Sequence, residues 1–332
     1  MSLRTVTGII VAALLGLLPA GAVFSLAKGE PQVGQLQLYQ YRMLTMGTVA
    51  TFSLYAANEV EFQKAVDAGC REFAAVMKLA NLYDKESELS RLNAAAYETD
   101  FFCSAEMWQL LMRAEEAHRE CAKFDITVKP LMEVWGFYRK QKHLPPKEKI
   151  VQAKQRVGFE KLKFDRNGKK VRFTVPGMAL DMGGIAKGYA AERAATAVIK
   201  AGVTCGVIDL GGNLKLLPQV PPGKKFYRIG IKDPAQPGRL LKKILELPGD
   251  RAVATSGDYE RFVILDGVKC GHIVDPESGR PEARPAVTVT TVSALDADIF
   301  STSAYLGGRA CAGKLSARYP ETGFYFAGTD DN

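Results

Sequence analysis

Asp298 and Thr302 form a late Asp-x-x-x-Thr pair. On a helix, residues four apart share a face. A carboxylate beside a hydroxyl is a hard-oxygen pair suited to Mg²⁺, which takes one or two protein carboxylates and fills its shell with phosphate and water oxygens. The alternative for an aspartate near a helix start is capping of the free backbone N–H groups, and Asp296 is placed to do the same. The chain has only three histidines in 332 residues. One of them, His272, lies in the turn-rich run Gly271 to Pro281. It is either a buried structural residue or a proton-transfer group, work that its near-neutral pKa suits.

Three further clusters are too rich in Gly, Ser, Thr and Asp for ordinary loops. Leu180 to Tyr189 reads as a strand passing through Gly183-Gly184 into a helix. Glycines there let backbone N–H groups approach an anion, and the helix N-terminus adds favourable partial charge. No Gly-Lys-Ser/Thr follows, and the glycine spacing misses the dinucleotide fingerprint. Asp209 to Asn213 again ends an apolar run in paired glycines, and Ala254 to Tyr259 offers hydroxyls and N–H donors around Thr255, Ser256 and Gly257.

The elements that must position these clusters follow from hydrophobic periodicity. Thr48 to Tyr55 alternates as a strand, and Glu59 to Leu82 repeats apolar residues at helical period. Tyr83 to Asn93 is polar. A helix is expected from Ser104, its N-cap, to Cys121. Short strands are expected near Lys170 to Val175, with another ending at Leu180. A helix over Ile185 to Gly202 follows, then strands at Val203 to Leu210 and Tyr227 to Lys232. Ala252 to Thr255 and Glu260 to Leu265 look like a hairpin pair. A strand at Ala286 to Val292 feeds a helix over Asp296 to Leu306. Locally pairing strands and helices in separate runs indicate an α+β fold of mixed or antiparallel sheets packed with helices, not a doubly wound sheet.

Composition bounds the class. Hydrophobic residues at 47% and charged residues at 24% exclude a disordered, collagenous or polytopic membrane chain. The net charge of +8 is concentrated: Arg139 to Arg172 carries 13 Lys/Arg against three acids, leaving the remainder near −2. One patch of this kind, with no recognition motif, does not indicate nucleic-acid binding; it is either a solvated face or a docking surface for an acidic protein or an anionic membrane. Arg4 precedes an uncharged run from Thr5 to Ala27, with an apolar centre and an Ala20-Gly21-Ala22 site for cleavage. Residues 1–27 read as a signal peptide or an uncleaved N-terminal anchor, with 28–332 as the working body; both readings place that body on the periplasmic, outer side of the membrane. The six cysteines form no C-x-x-C and have no histidine at metal-ligand spacing. Most read as buried thiols, one bridge is possible, and a zinc site is disfavoured.

In this order the clusters resemble the ApbE family, flavin transferases that move FMN from FAD onto a protein. The resemblance is carried by Met46-Gly47-Thr48, Ser87 to Asn93, Phe124 to Val128 leading to Pro130-Leu131 and Trp135-Gly136-Phe137, the four clusters, and the Asp298/Thr302 helix. It implies a compact α+β body in two packed parts, and Mg²⁺ held by Asp298, Thr302 and the carbonyl of Gly184. It also implies Lys187, Thr255, Ser256, Gly257, Asp181, Met46 and Tyr83 around the flavin nucleotide, and His272 as the proton-transfer group. The implied reaction is attack of an acceptor Thr or Ser hydroxyl on the FMN-side phosphorus of FAD, with release of AMP. Implied acceptors are flavin subunits of redox pumps or proteins with FMN-binding domains. A Mg²⁺-dependent FAD pyrophosphatase uses the same ligands; a non-catalytic exported flavin-binding protein needs the pocket without the metal pair.

Overall fold

A computed structural model describes the backbone of residues 23–25 and residues 35–139, 141–231, 243–258 and 261–327. The leader expected over residues 1–27 lies outside the described residues except at Val23–Ser25, and Lys140, Lys232 and Tyr259 lie outside them too.

The centre is one eight-stranded sheet in which sequence order and spatial order coincide. Its strands are β1 (Val23–Ser25), β2 (Gln37–Thr45), β3 (Thr48–Ala56), β4 (Cys205–Leu210), β5 (Asn213–Leu216), β6 (Ala252–Ser256), β7 (Val287–Thr291) and β8 (Gly323–Phe326). Every neighbouring pair is antiparallel. β2 and β3 are joined by a two-residue turn with positive φ at Met46 (50°) and Gly47 (72°), the geometry that matches strand twist in tight hairpins. The expected hairpin between 252–255 and 260–265 does not form. Instead β6 lies between β5 and β7, in register Ala252↔Thr291 to Ser256↔Val287, because all its residues except Thr255 are buried, the pattern of a central strand. Phe262–Leu265 pairs instead with Val268–Gly271.

Seven helices are described: α1 (Glu59–Ala80), α2 (Glu88–Ala95), α3 (Ala105–Glu120), α4 (Lys129–Val134), α5 (Lys147–Lys154), α6 (Ala186–Lys200) and α7 (Ala294–Arg318). α1 begins where the Asn58 side chain accepts the Glu61 N–H, and it buries Phe62, Val66, Phe73 and Val76. α3 starts where the sequence places it, capped by Ser104. α2 occupies most of the polar Ser87 to Asn93 run, capped by Ser87. The strand expected to end at Leu180 is absent: the Asn93 amide accepts the Leu180 N–H at 2.7 Å and donates to the Leu180 carbonyl at 2.9 Å, so one side chain satisfies a backbone that otherwise needs a neighbouring strand. α7 is longer than expected, runs through a break at Gly308 (φ 63°), and is capped by Ser293.

The main core lies between the sheet and α1, α6 and α7, with Phe52, Leu54, Phe73, Leu210, Ile299 and Phe300 fully buried. A second core joins α4 and α5 to the Phe262–Gly271 hairpin through Leu131, Met132, Trp135, Ile150, Leu265 and Cys270, and the Trp135 indole donates to the Gly279 carbonyl at 2.8 Å. This α+β body agrees with the sequence expectation, and the two cores meet at the cleft described next. Cys121 and Cys311 form a disulfide across 190 residues; Cys70, Cys103, Cys205 and Cys270 are free, the last two buried.

Candidate active site

The cleft has a cavity volume of about 110 Å³ and opens to solvent on one side. Its walls come from the Asp181–Ile185 turn and the start of α6, the second and third turns of α7, the end of β6, the exit of the Phe262–Gly271 hairpin, and the Lys123–Val128 segment. Asp181, Gly184, Lys187, Thr255, Ser256, Gly257, His272, Asp298 and Thr302 all line it. Nine of the eleven residues singled out from the sequence thus converge.

The floor is built on a close helix crossing. A Cβ on Gly188 would stand 2.2 Å from the Ala294 carbonyl oxygen and 2.6 Å from Asp298 Cβ, so only glycine lets the first turn of α6 sit directly on α7. That approach lets the Gly188 N–H donate to Asp298 Oδ2 at 2.9 Å. Asp298 is 4% exposed. Ser293 rather than Asp298 caps α7, and Asp296 pairs with Arg113 at 2.7 Å, so capping does not account for Asp298. Its other oxygen is 3.5 Å from Lys187 Nζ, which also donates to the Gly183 carbonyl at 3.0 Å. Thr302, one turn on, shares hydroxyl contact with Ser256 at 3.3 Å, and Ser256 meets Ser301 at 2.9 Å. Gly184 packs so closely that a Cβ there would be 3.3 Å from Thr302 Oγ1. A carboxylate and a hydroxyl on one face of α7 and a backbone turn more than a hundred residues earlier therefore come together at one wall of the cleft. Among the described residues no group of three or more His, Cys, Asp or Glu is placed to hold a metal ion, in this cleft or outside it.

His272 is clamped by the hairpin base. Its backbone N–H and its Nδ1 both meet the Arg261 carbonyl, at 3.2 and 3.0 Å. A carbonyl can only accept, so Nδ1 carries the proton and Nε2 keeps a free lone pair. Burial, then the Lys187 cation, push its pKa down to about 4, against the smaller raising effects of the Arg261 carbonyl and Asp181. The imidazole is neutral at physiological pH, ready to accept a proton.

Asp181 serves the shape of the glycine turn. Oδ1 accepts the Gly183 N–H and Oδ2 accepts the Tyr138 hydroxyl, and burial together with the Asp181 charge drives the Tyr138 pKa upward. The hydroxyl of Thr255 meets that of Thr288 across the sheet at 2.8 Å. Two expected residues lie off the cleft wall. Met46 is held in the β2–β3 turn against the main core; a Cβ on Gly211, which does line the cleft, would be 2.4 Å from Thr48 Oγ1, so the turn supports the wall from behind. Tyr83 is 68% exposed, with its ring edge-on to Tyr138 and its hydroxyl accepting from Arg261 at 3.1 Å. Lys123, Met132 and Tyr138 were not singled out by spacing. Lys123 and Met132 reach the cleft, and Tyr138 reaches Asp181, only through the packing of α4 and the 271–281 turn; Lys123 bridges Asp275 and Glu277. Asp125, lining the same wall, accepts the Thr127 N–H at 2.7 Å and hydroxyl at 2.6 Å, and burial raises its pKa.

Comparison with known proteins gives one answer. A sequence model described as the ApbE family matches residues 46–326. A FAD:protein FMN transferase of Vibrio cholerae is 33% identical over 228 residues, 66% of this chain and 66% of the relative, so the chain spans just under two thirds of that protein's length. One of Klebsiella pneumoniae is 30% identical over 276 residues, 80% of this chain and 81% of the relative. Among solved structures, the ApbE protein of Thermotoga maritima superposes with a TM-score of 0.78 at 26% identity, covering 88% of this chain and 97% of that one. The flavinyl transferase ApbE of Pseudomonas stutzeri, in its apo form, gives 0.75 at 26% identity, covering 90% and 94%. With the family model spanning the cleft and both cores, and the same fold in solved relatives, the chain belongs to the ApbE family.

Proposed function

We propose that this chain is a Mg²⁺-dependent FAD:protein FMN transferase that attaches FMN through a phosphoester bond to a Thr or Ser hydroxyl of an acceptor protein and releases AMP. The enzyme class rests on family membership and on relatives named FAD:protein FMN transferase. The observation that carries the finer reading is the convergence of Asp298, Thr302, Gly184 and His272 on one cleft.

The donors present suit Mg²⁺: one buried carboxylate, one hydroxyl and one carbonyl are hard oxygens, few enough to leave places for phosphate and water. Asp298, Thr302 and the Gly184 carbonyl would hold the ion. When bound, it supplies charge neutralisation at the pyrophosphate. The chain's own residues do the rest. The Gly183-Gly184 turn, the N-terminus of α6 and Lys187 bind the anionic pyrophosphate of FAD. The acceptor hydroxyl oxygen forms a bond to the FMN-side phosphorus as the bond from that phosphorus to the bridging oxygen breaks; AMP departs with the bridging oxygen. The hydroxyl proton passes to His272 Nε2, which the Arg261 carbonyl orients by fixing Nδ1. Ser256 holds the Thr302 hydroxyl in place.

Export belongs to the same reading, supported by Arg4, the uncharged run to Ala27 and the small-residue site at Ala20 to Ala22. In that reading the acceptor is itself an exported or outward-facing protein.

The test incubates the protein with FAD, Mg²⁺ and an acceptor domain, and follows acceptor mass together with AMP. A mass gain equal to FMN with matching AMP supports transfer. FMN and AMP released with the acceptor unmodified makes the chain a FAD pyrophosphatase instead. Tight FAD binding without AMP makes it a carrier.

A further inference from the structure

We infer that the outer face of the Phe262–Gly271 hairpin, with the adjoining 142–149 segment, is the docking surface for the acceptor protein, and that it fits an acidic surface with an apolar centre. The inference rests on the transferase reading of the cleft.

The hairpin has the wrong polarity for a free surface. Its register pairs Ile264 with Lys269 and Phe262 with Gly271, so Phe262 and Ile264 share the outer face. The inner face is accounted for, since Leu265 and Cys270 fill the second core. An antiparallel strand with one solvated face ordinarily carries polar residues there. Here Ile264 is 61% and Phe262 45% exposed. Lys269 lies 5.0 Å over the Phe262 ring and pairs with Asp258, so even the polar residue of this face is drawn over the aromatic.

The rim of this face is cationic. Asp266, at the hairpin tip, accepts the Leu144 N–H at 2.9 Å and meets His143 Nδ1 at 2.7 Å, while its own N–H donates to the Lys142 carbonyl at 2.8 Å. These bonds tie the start of the basic stretch to the hairpin. Elsewhere in that stretch Arg166 pairs with Glu115, Lys170 with Asp165 and Arg172 with Asp100. Lys142, Lys147 and Lys149 are exposed and have no acidic partner among the described residues. An apolar, aromatic-containing centre inside a charged rim is the anatomy of a protein docking site, and positive rim charge steers an acidic partner.

Position selects the acceptor as the partner. The second hairpin strand runs straight into His272, and the first begins after Arg261, whose carbonyl orients the His272 ring. A hydroxyl delivering its proton to His272 arrives on a protein that must cover this side of the cleft. Tyr83, held by the Arg261 guanidinium, extends the aromatic surface toward the same mouth.

The test uses the full chain with two double variants, Phe262→Ser/Ile264→Ser and Lys142→Glu/Lys149→Glu, each checked for an unchanged melting temperature. The probes are a folded flavin-acceptor domain of net negative charge and a short synthetic peptide spanning its modified residue. The expected result is a KM for the domain at least ~10-fold higher in both variants, with kcat, FAD affinity and peptide kinetics unchanged, and a flatter salt dependence in the lysine variant. An unchanged KM for the domain overturns the inference, as does a defect that appears in kcat or FAD binding. Binding to phosphatidylserine–phosphatidylcholine vesicles is measured in parallel; variants that lose only vesicle binding assign the face to a membrane and overturn it too. A wild type that transfers FMN to no acceptor removes the transferase reading and the docking surface together. A wild type that transfers normally beside unaffected variants removes the docking surface alone.

Discussion

Replacing Asp298 by Asn separates the charge of this carboxylate from its structural bond. The Asn carbonyl can still accept the Gly188 N–H that Asp298 accepts at 2.9 Å, while its amide replaces the oxygen that stands 3.5 Å from Lys187. Asp298→Asn should therefore melt near the wild-type temperature. Asp298→Ala removes the bond as well, leaves the buried Gly188 N–H unpartnered, and should cost about 1.5–3 kcal/mol of stability, a fall of several degrees in Tm for a body of this size. Both lose the anionic oxygen of the Asp298–Thr302–Gly184 donor set. Charge stabilisation of several kcal/mol is at stake, and each ~1.4 kcal/mol is tenfold in rate, so FMN transfer should fall at least ~100-fold in both. FAD affinity should fall much less, since the glycine turn and Lys187 remain. The assay is acceptor mass by spectrometry across a Mg²⁺ titration, beside thermal melts. Normal transfer by Asp298→Asn with an unchanged Mg²⁺ requirement would refute the reasoning and leave Asp298 as a structural bond between α6 and α7.

His272 in the folded state titrates near pH 4 rather than 6.5, so between those values the unfolded chain binds more protons; stability should rise with pH through that window and be lost as pH falls through it. His272→Gln should flatten that dependence in pH-resolved melts and lower transfer by about 10²–10⁴-fold. Gly188→Ala, which drives a Cβ to 2.2 Å from the Ala294 carbonyl, should destabilise the protein by roughly 1–3 kcal/mol and abolish most activity by separating α6 from α7. Gly184→Ala meets Thr302 and Phe124 only at 3.3 Å, and its activity should stay within a few-fold of wild type. Deleting residues 1–22 should leave Tm and transfer unchanged, whereas deletion through Ala27 also removes the Val23–Ser25 pairing with Tyr39–Tyr41 and should lower Tm slightly.

The local parts of this protein were legible because they obey spacing rules within a turn or two of chain. The period of α1, the Ser104 cap, the glycine turn before α6 and the Asp298/Thr302 face depend on neighbours at i+2 to i+4 and on little else. The cleft residues carried chemistry that their types alone announce: a rare histidine, a lone carboxylate beside a hydroxyl, paired glycines.

Partner choice across long distances was decided only by folding. Strand β6 pairs with β5 and β7 rather than with the nearby 262–265 segment, because its residues are buried on both faces and only the sheet interior covers both. That placement brings Ser256 to Thr302. Asn93 stands in for a strand at Leu180, and Tyr138 fixes Asp181, through bonds between segments 43 or more residues apart. Met46 and Tyr83, which likeness of sequence order places around the flavin, stand off the cleft wall: Met46 is half-buried in its turn against the main core, and Tyr83 is exposed beside Arg261. Cys121 finds Cys311, 190 residues away, only because α3 ends beside the second half of α7. Hydrophobic period says that a face will be buried; which surface buries it depends on the mutual fit of all the others.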